Sequence, residues 1–199
     1  MTKNISLFMT KKNILAICGS TRKSSTNHDL IKAIAALFQD SLNIILFDGL
    51  ADLPHFNPDN DGDGVEDKVV RFRQQMVDAE GILICTPEYA YGIPGSLKNA
   101  IDWTVSSSGS PGKPTMLITA STDGSYGHRA MLDVLNAIEA KKVSRHQLII
   151  SFAKTKIGTN GKIKDEKTLD EKKKIMYEFL DTINRNNKIK GKQNSTEII

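Results

Sequence analysis

Five apolar runs alternate along the chain with segments of helical periodicity, and this alternation constrains the fold more than any other feature. The runs are apolar at consecutive positions, as expected for strands that helices cover on both faces of a sheet. Strands that alternate with helices indicate right-handed crossovers and an open parallel sheet. We therefore predict an α/β domain with a five-stranded parallel sheet and helices on both faces. The predicted strands are residues 13–18, 43–47, 81–85, 114–119 and 147–152.

The predicted strand order is 2-1-3-4-5, which is common among sheets of this kind and places ligands at the carboxyl ends of strands 1, 3 and 4. The three loops richest in Gly, Ser, Thr and Tyr follow those same strands. We therefore expect the three loops to meet at one binding site. The predicted helices lie over residues 30–38, 64–79, 96–105, 131–138 and 169–183.

The length of 199 residues suits one medium-sized domain that buries its core without disulfides or a structural metal. We predict a flexible extension over residues 1–12, one domain over 13–186 and a disordered tail over 187–199. The net charge of +4 comes largely from C-terminal lysines, which we interpret as solvated surface. No basic cluster is interleaved with aromatic residues, so no nucleic-acid partner is expected. The apolar patch at 5–9 is too short for a signal peptide or a membrane span, and we expect a cytoplasmic protein without a membrane partner.

Cys18 and Cys85 each end an apolar run, where a small buried hydrophobic residue is expected. We interpret them as buried free thiols, although a redox pair is conceivable if their strands are neighbours. The acidic run at 59–64, Asp-x-Asp-x-Asp-Gly, matches the first half of an EF-hand loop, but Val70 stands where the bidentate Glu belongs. No metal site is therefore predicted.

The first loop, residues 19–27, combines five hydroxyl side chains with one guanidinium and one amide and leads into a helix N-terminus. Unpaired amides and the helix dipole favour an anion there. This set of donors suits a terminal phosphate monoester better than a bridging pyrophosphate, and the loop matches neither the P-loop nor the Gly-x-Gly-x-x-Gly pattern. The alternative interpretation is an N-cap beside a solvated arginine.

The second loop, residues 86–95, contains two tyrosines, two prolines and two glycines, which limit its freedom. Its backbone amides could hold a planar ring, or Tyr89 and Tyr91 could instead be core or oligomer contacts. The third loop, residues 121–127, could close over the other edge of the ring, or its glycines could be ordinary turn residues.

Two motifs in these loops resemble those of one known family. The first is Gly-Ser-x-Arg-x-x-Ser-x-Asn at 19–27, and the second is Pro-Glu-Tyr-x-Tyr-x-Ile-Pro-Gly-x-Leu-Lys-Asn-Ala-Ile-Asp-Trp at 87–103. Together they closely resemble the NADPH-dependent FMN reductase family of flavodoxin-like proteins. The resemblance implies a flavodoxin-like fold, bound FMN, and hydride transfer from NADPH or NADH through FMN N5 to small acceptors, namely quinones, azo compounds, chromate or free flavin. It also implies a homodimer or homotetramer.

By this resemblance, the first loop holds the FMN phosphate, the second contacts the isoalloxazine ring and the third lines its far side. No catalytic side chain is expected, because the flavin accepts hydride without a protein nucleophile. Use of one ring face by both substrates predicts ping-pong kinetics. The family usually has Asn where this chain has Ala90, and a common Ser is replaced by Gly92, so we expect one side-chain bond near the flavin or its neighbouring subunit to be missing. The implied cofactor-binding residues are Ser20, Arg22, Ser25, Thr26, Asn27, Pro87, Glu88, Tyr89, Ala90, Tyr91, Ser121 and Gly124.

Two other functions match the residues less well. A flavodoxin-type electron carrier is usually acidic and has a different phosphate loop, whereas this chain is basic. A flavin-loaded interaction protein without turnover has only the Lys-rich C-terminal segment in its favour. The choice between NADH and NADPH stays open, because no nucleotide-specific arginine pair can be identified.

Two side chains near the loops have open roles. His128 is interpreted as a solvent-facing loop residue, and a proton donor to a bound quinone is the less favoured hypothesis. Trp103 could belong to the core or to a subunit contact, and we favour the contact.

Overall fold

The computed structural model describes residues 10–62, 64–107, 112–158 and 162–196 of the chain. Its strands are β1 Lys12–Cys18, β2 Leu42–Phe47, β3 Gly81–Thr86, β4 Thr115–Ala120 and β5 Gln147–Ile150. They form one parallel five-stranded sheet in the order β2-β1-β3-β4-β5, which confirms the predicted fold class and strand order. Cys18 pairs with Cys85, and Thr86 pairs with Thr119. The carboxyl ends of β1, β3 and β4 are therefore level with one another.

Helices cover both faces of this sheet, because consecutive strand residues point to opposite sides. Ala16 belongs to the core completed by the helices Thr26–Leu37 and Glu166–Thr196. Its neighbour Ile17 belongs to the core completed by the helices Asp67–Asp78, Gly95–Asp102 and Ser125–Ala137. Single turns of 3₁₀ helix lie at Pro58–Asn60 and Val143–Arg145. The α-helices are α1 Thr26–Leu37, α2 Asp67–Asp78, α3 Gly95–Asp102, α4 Ser125–Ala137, α5 Ala153–Lys156 and α6 Glu166–Thr196.

The last helix is longer than the predicted 169–183. Its backbone stays helical to Thr196, so much of the segment assigned to a disordered tail, 187–199, is helical in the structure. The Asn187 amide donates to the Glu80 carboxylate, and this bond holds the helix against the domain beyond its predicted end.

The chain ends lie partly outside the described residues. Of the predicted flexible extension, residues 1–9 lie outside them, and Lys12 already begins β1. Residues 197–199 of the predicted tail also lie outside. The division into extension, domain and tail otherwise stays a prediction.

The fifth strand ends earlier than predicted. It stops at Ile150, because Phe152 adopts a left-handed backbone conformation with φ of 54° and turns the chain into the short helix α5. No pattern in the sequence analysis predicted this helix.

Trp103 belongs to the core, contrary to the subunit contact that we favoured. Its side chain is 1% exposed, and its ring packs edge-on against Phe56 with centroids 5.0 Å apart. The indole Nε1 donates to the Pro54 carbonyl at 2.8 Å. These contacts anchor the segment between β2 and α2 to the end of α3.

Candidate active site

A cleft of about 450 Å³ opens at the carboxyl ends of β1, β3 and β4. The three loops predicted to converge all contribute to its wall, and a fourth segment, at the start of α5, completes it. Of the twelve predicted cofactor-binding residues, the cleft brings nine together. The lining residues are Ser20, Arg22, Ser25, Thr26, Asn27, Pro87, Glu88, Tyr89, Ala120, Ser121, Thr122, Phe152, Ala153, Lys154 and Thr155.

Gly19 lets the first two loops approach each other closely. Its N–H donates to the Cys85 carbonyl at 2.8 Å, and a Cβ at this position would lie 2.3 Å from Thr86 Oγ1. No larger residue fits there without displacing the Thr86 side chain. Beyond it, the Ser20 hydroxyl lies 3.5 Å from the Tyr89 hydroxyl, so the two loops meet again at the cleft.

The start of α1 leaves one buried acceptor without a partner on the cleft wall. Ser25 is the N-cap residue, but its side chain makes no capping bond to the helix. Asn27 is 3% exposed, and its Nδ2 donates to the Ala120 carbonyl at 3.1 Å. That bond fixes the orientation of the amide and leaves Oδ1 buried, with no hydrogen-bond partner among the described residues. A buried acceptor without a partner is costly, so this arrangement favours a ligand with a hydroxyl or N–H donor.

The tip of the second loop is a tight two-residue turn. Tyr89 and Gly92 exchange backbone hydrogen bonds of 3.1 and 2.9 Å, and Ala90 and Tyr91 between them have φ of 48° and 57°. Two left-handed residues in succession define a type I′ turn, in which Asn and Gly are the favoured residues. Ala90 therefore occupies a position that strains an alanine.

This turn points Ala90 and Tyr91 away from the cleft lining. The Tyr91 side chain is 75% exposed, and its ring packs edge-on against Tyr126 at 5.1 Å between centroids. Gly124, the N-cap of α4 with φ of 98°, also lies outside the lining. The predicted contacts of these three residues with the cofactor stay predictions.

Glu88 connects the second loop to the third. Its Oε2 accepts a 2.6 Å hydrogen bond from the Gly127 N–H in the first turn of α4, and its own N–H donates to Ser121 Oγ at 3.2 Å. A Cβ on Gly127 would lie 2.9 Å from the Gly92 carbonyl oxygen, so the close approach requires glycine. The Glu88 carboxylate thus orders the two loops rather than standing free in the cleft.

His128 is buried, contrary to its interpretation as a solvent-facing residue. Its Nδ1 lies 2.8 Å from the Thr119 hydroxyl and its Nε2 lies 2.8 Å from Gln147 Oε1. The Gln147 oxygen can only accept, so Nε2 carries the proton and Nδ1 accepts from Thr119. Burial lowers the pKa of His128, which keeps the ring neutral. With both nitrogens bonded away from the cleft, His128 is not placed to donate a proton to a substrate.

The fourth wall of the cleft is the part that sequence reasoning missed. Phe152, Lys154 and Thr155 follow β5, whereas our expectation included only the ends of strands 1, 3 and 4. The predicted strand order places β5 beside β4, and this neighbourhood could have indicated that residues after β5 also line the cleft. A hydroxyl and a lysine directly after that strand end could have been added to the site.

Cys18 and Cys85 lie side by side on neighbouring strands as buried free thiols. Burial raises the pKa of both thiols, so the reactive thiolate is disfavoured. The described residues contain no group of three or more metal-binding side chains. No described helix combines the length and apolarity needed to cross a membrane.

The fold and the cleft together define a flavodoxin-like protein whose loops line a cleft at the switch point of the sheet. A sequence profile of the NADPH-dependent FMN reductase family matches residues 12–155. A 2-hydroxy-1,4-benzoquinone reductase from a Burkholderia species is 33% identical over 84% of this chain and 92% of the relative. An NAD(P)H-dependent FMN reductase from Pseudomonas aeruginosa is 32% identical over 77% of this chain and 85% of the relative.

Solved structures agree with this match. The flavoenzyme NAD(P)H:(acceptor) oxidoreductase FerB from Paracoccus denitrificans superimposes with a TM-score of 0.72 at 26% identity, covering 88% of this chain and 98% of that one. The chain therefore belongs to the NADPH-dependent FMN reductase family. It is an oxidoreductase of this class, which uses FMN and NAD(P)H.

The described residues fit FMN. The first loop provides hydroxyl, amide and guanidinium donors at a helix N-terminus, which suits a phosphate. The buried Oδ1 of Asn27 needs a donor, and the ribityl hydroxyls of FMN are donors. The cleft also has an apolar component at Pro87 and Phe152 that suits a ring system.

Proposed function

We propose that this oxidoreductase transfers electrons from NAD(P)H to quinones and free flavin, using FMN bound in the cleft. One observation carries the proposal. Donors of the first loop that suit a phosphate, a buried acceptor without a partner and a rigid aromatic loop all lie in one cleft. When bound, the flavin supplies the hydride-accepting centre, and no protein nucleophile is required.

In this proposal the first loop binds the phosphate. Ser20, Ser25, Thr26 and Arg22 all line the cleft beside the free N-terminus of α1. Asn27 differs from the role first expected for it, because its free buried atom is an acceptor and a phosphate oxygen is also an acceptor. We therefore assign its Oδ1 to a hydroxyl of the ribityl chain.

The second and third loops position the ring through their backbones. Pro87, Glu88 and Tyr89 form the wall opposite Ser121, and the Glu88–Gly127 bond keeps the two loops at a fixed separation. Fixed backbone donors stabilise charge that develops during transfer without reorganising. Both ring nitrogens of His128 are bonded to Thr119 and Gln147, so His128 is not placed to act as an acid or base.

The cleft is also the basis for proposing ping-pong kinetics. If donor and acceptor bind in turn at the same open side of the cleft, double-reciprocal plots are parallel. We propose quinones as the first acceptors to assay, because one relative is named for a benzoquinone. Azo compounds and chromate are further candidates.

We propose a homodimer or homotetramer. The exposed ring pair Tyr91 and Tyr126, 75% and 61% exposed, is the surface on which the second loop would meet another copy. The mass in solution, measured by light scattering, tests this part of the proposal. The cytoplasmic location stays a prediction.

An absorbance spectrum of the purified protein, followed by anaerobic titration with NADH and NADPH, tests the function. We expect a flavin spectrum that bleaches on titration and recovers when benzoquinone is added. A flavin band that neither nucleotide bleaches would contradict the reductase and favour the carrier or the interaction protein. No flavin band even after incubation with FMN would contradict the cofactor assignment for this chain.

A further inference from the structure

The fourth wall of the cleft, at the start of α5, is held in place by the third loop. The Phe152 N–H donates to the Thr122 carbonyl and the Ala153 N–H to the Ser121 carbonyl, each at 2.9 Å. Ser151 Oγ donates to the Asp123 carbonyl at 2.8 Å. The position of this segment is therefore determined by the same loop that lines the cleft.

The segment also lies close to the start of α1. Asn27 Nδ2 donates to Ala120 O, and the next residue, Ser121, accepts from Ala153. The adjacent carbonyls of Ala120 and Ser121 thus connect Asn27, at the start of α1, to Ala153, the residue before Lys154. Ala153 is 3% exposed and belongs to the same core as α1.

Phe152 shows that this arrangement is strained. Its φ of 54° is left-handed, and its side chain is 65% exposed, so no burial of the ring compensates for the conformation. A bulky residue in this region is an outlier, and such residues concentrate where a ligand is clamped. The effect of the turn is to bring Lys154 onto the cleft wall.

The charged side chains on the cleft wall favour an anionic ligand. Lys154 and Arg22 both line the cleft, and neither forms an ion pair with any described residue. Glu88 is the acidic residue among the described lining, and its Oε2 is already bonded to Gly127. The cleft wall therefore carries two cationic side chains, and its one described carboxylate is held by the Gly127 N–H of α4.

We propose that Lys154 binds the terminal phosphate of the mononucleotide together with Arg22, and that it makes the chain select FMN over unphosphorylated riboflavin. The inference rests on the function proposed above, because it assumes that a flavin occupies the cleft. Thr155 has no part in it, since its hydroxyl donates to the Phe152 carbonyl at 2.8 Å. Charged hydrogen bonds to phosphate are the strong ones, so the loss of one is measurable.

Binding of FMN and riboflavin to the flavin-free full chain, followed by quenching of flavin fluorescence, tests the proposal. Lys154→Gln should weaken FMN binding about tenfold and leave riboflavin binding unchanged. The salt dependence of FMN binding should become shallower in the variant. Lys154→Arg should retain FMN binding, because it keeps the charge.

Lys156→Gln is the matched control. Lys156 lies on the same short helix but not on the cleft wall, so both affinities should be unchanged. The proposal is overturned if Lys154→Gln binds FMN as the unmodified chain does, or if both flavins weaken equally. An unmodified chain that binds neither flavin would overturn the proposed function itself, which distinguishes the two failures.

Discussion

The two ends of the sheet contain buried lysines in opposite situations. Lys113, near the amino end of β4, donates to the Val77 and Ala79 carbonyls at 2.7 and 2.6 Å at the end of α2. Lys172, on α6 near the carboxyl end of the sheet, is 2% exposed and has no hydrogen bond to any described residue. The first lysine satisfies a helix end, whereas burial disfavours the charged form of the second and lowers its pKa.

This contrast extends to the neighbouring groups. At the amino end, Glu80 accepts hydrogen bonds from Lys12 Nζ at 3.1 Å, from the Asn13 N–H at 2.8 Å and from Asn187. At the carboxyl end, Asn27 Oδ1 is unpartnered and Ala90 and Phe152 are left-handed. The amino end uses most of these polar groups for stability, although the buried His146 Nδ1 directly before β5 has no hydrogen-bond partner among the described residues. The carboxyl end keeps such groups available for a ligand at a cost in stability.

The largest effect is expected from removing the arginine at the carboxyl end. Arg22→Ala should weaken FMN binding about a hundredfold, or about 3 kcal/mol, because a charged donor to the phosphate is lost. Urea unfolding of the flavin-free chain should be unchanged, since Arg22 is exposed and forms no ion pair with the described residues. Fluorescence titration and urea denaturation measure the two quantities.

Glu80→Gln provides the control at the other end of the sheet. It should lower the free energy of unfolding by about 1 kcal/mol, because the bond to Lys12 loses its charge, and leave FMN affinity unchanged. Full retention of FMN by Arg22→Ala would remove the phosphate assignment of the first loop. A loss of FMN in Glu80→Gln would show that the two ends are not separable.

A smaller effect is expected from Lys172. Burial lowers its pKa to about 8, so the charged form is disfavoured in the folded state. Below about pH 8 the amine is protonated in both states and its burial destabilises the fold. As pH rises from about 8 towards the usual lysine value of 10.5, the folded amine is neutral while the unfolded one is still charged, and stability increases.

Lys172→Met should therefore raise the free energy of unfolding by about 2 kcal/mol at neutral pH, because an amine whose charged form burial disfavours is replaced by an apolar side chain. The gain over the unmodified chain should shrink as the pH rises towards 10. Urea denaturation of both proteins across this range is the measurement. A gain that is constant with pH would mean that the folded amine keeps the ordinary lysine pKa, so that it stays protonated in both states across this range.

The strands and the three main loops could be predicted because each is recorded in a local pattern, whereas the strand order followed from the topology that is common among such sheets. Apolar runs, helical spacing and Gly, Ser and Thr clusters all lie within short windows of the sequence. The burial of His128 could not be predicted in this way, since it depends on partners at Thr119 and Gln147 on two different strands.

The rest of the site also depends on contacts between distant segments. The Glu88 carboxylate finds its partner at Gly127, 39 residues along the chain. Lys154 reaches the cleft wall after the left-handed turn at Phe152. Turn patterns do not indicate phenylalanine at such a position. Hydrogen bonds between distant loops and strained backbone conformations therefore cannot be predicted from local sequence patterns.

The smallest effect concerns Ala90, where this chain departs from the family motif. Because Ala90 is the first central residue of a type I′ turn with φ of 48°, Ala90→Asn should raise the free energy of unfolding by about 0.5–1 kcal/mol. Ala51, exposed and outside the left-handed region, is the control, and Ala51→Asn should change stability little. FMN affinity should be the same in both variants, since neither residue lines the cleft. A tighter FMN complex without a gain in stability would instead mean that the asparagine of the motif contacts the flavin. The variant therefore distinguishes a role in the turn from a role in cofactor binding.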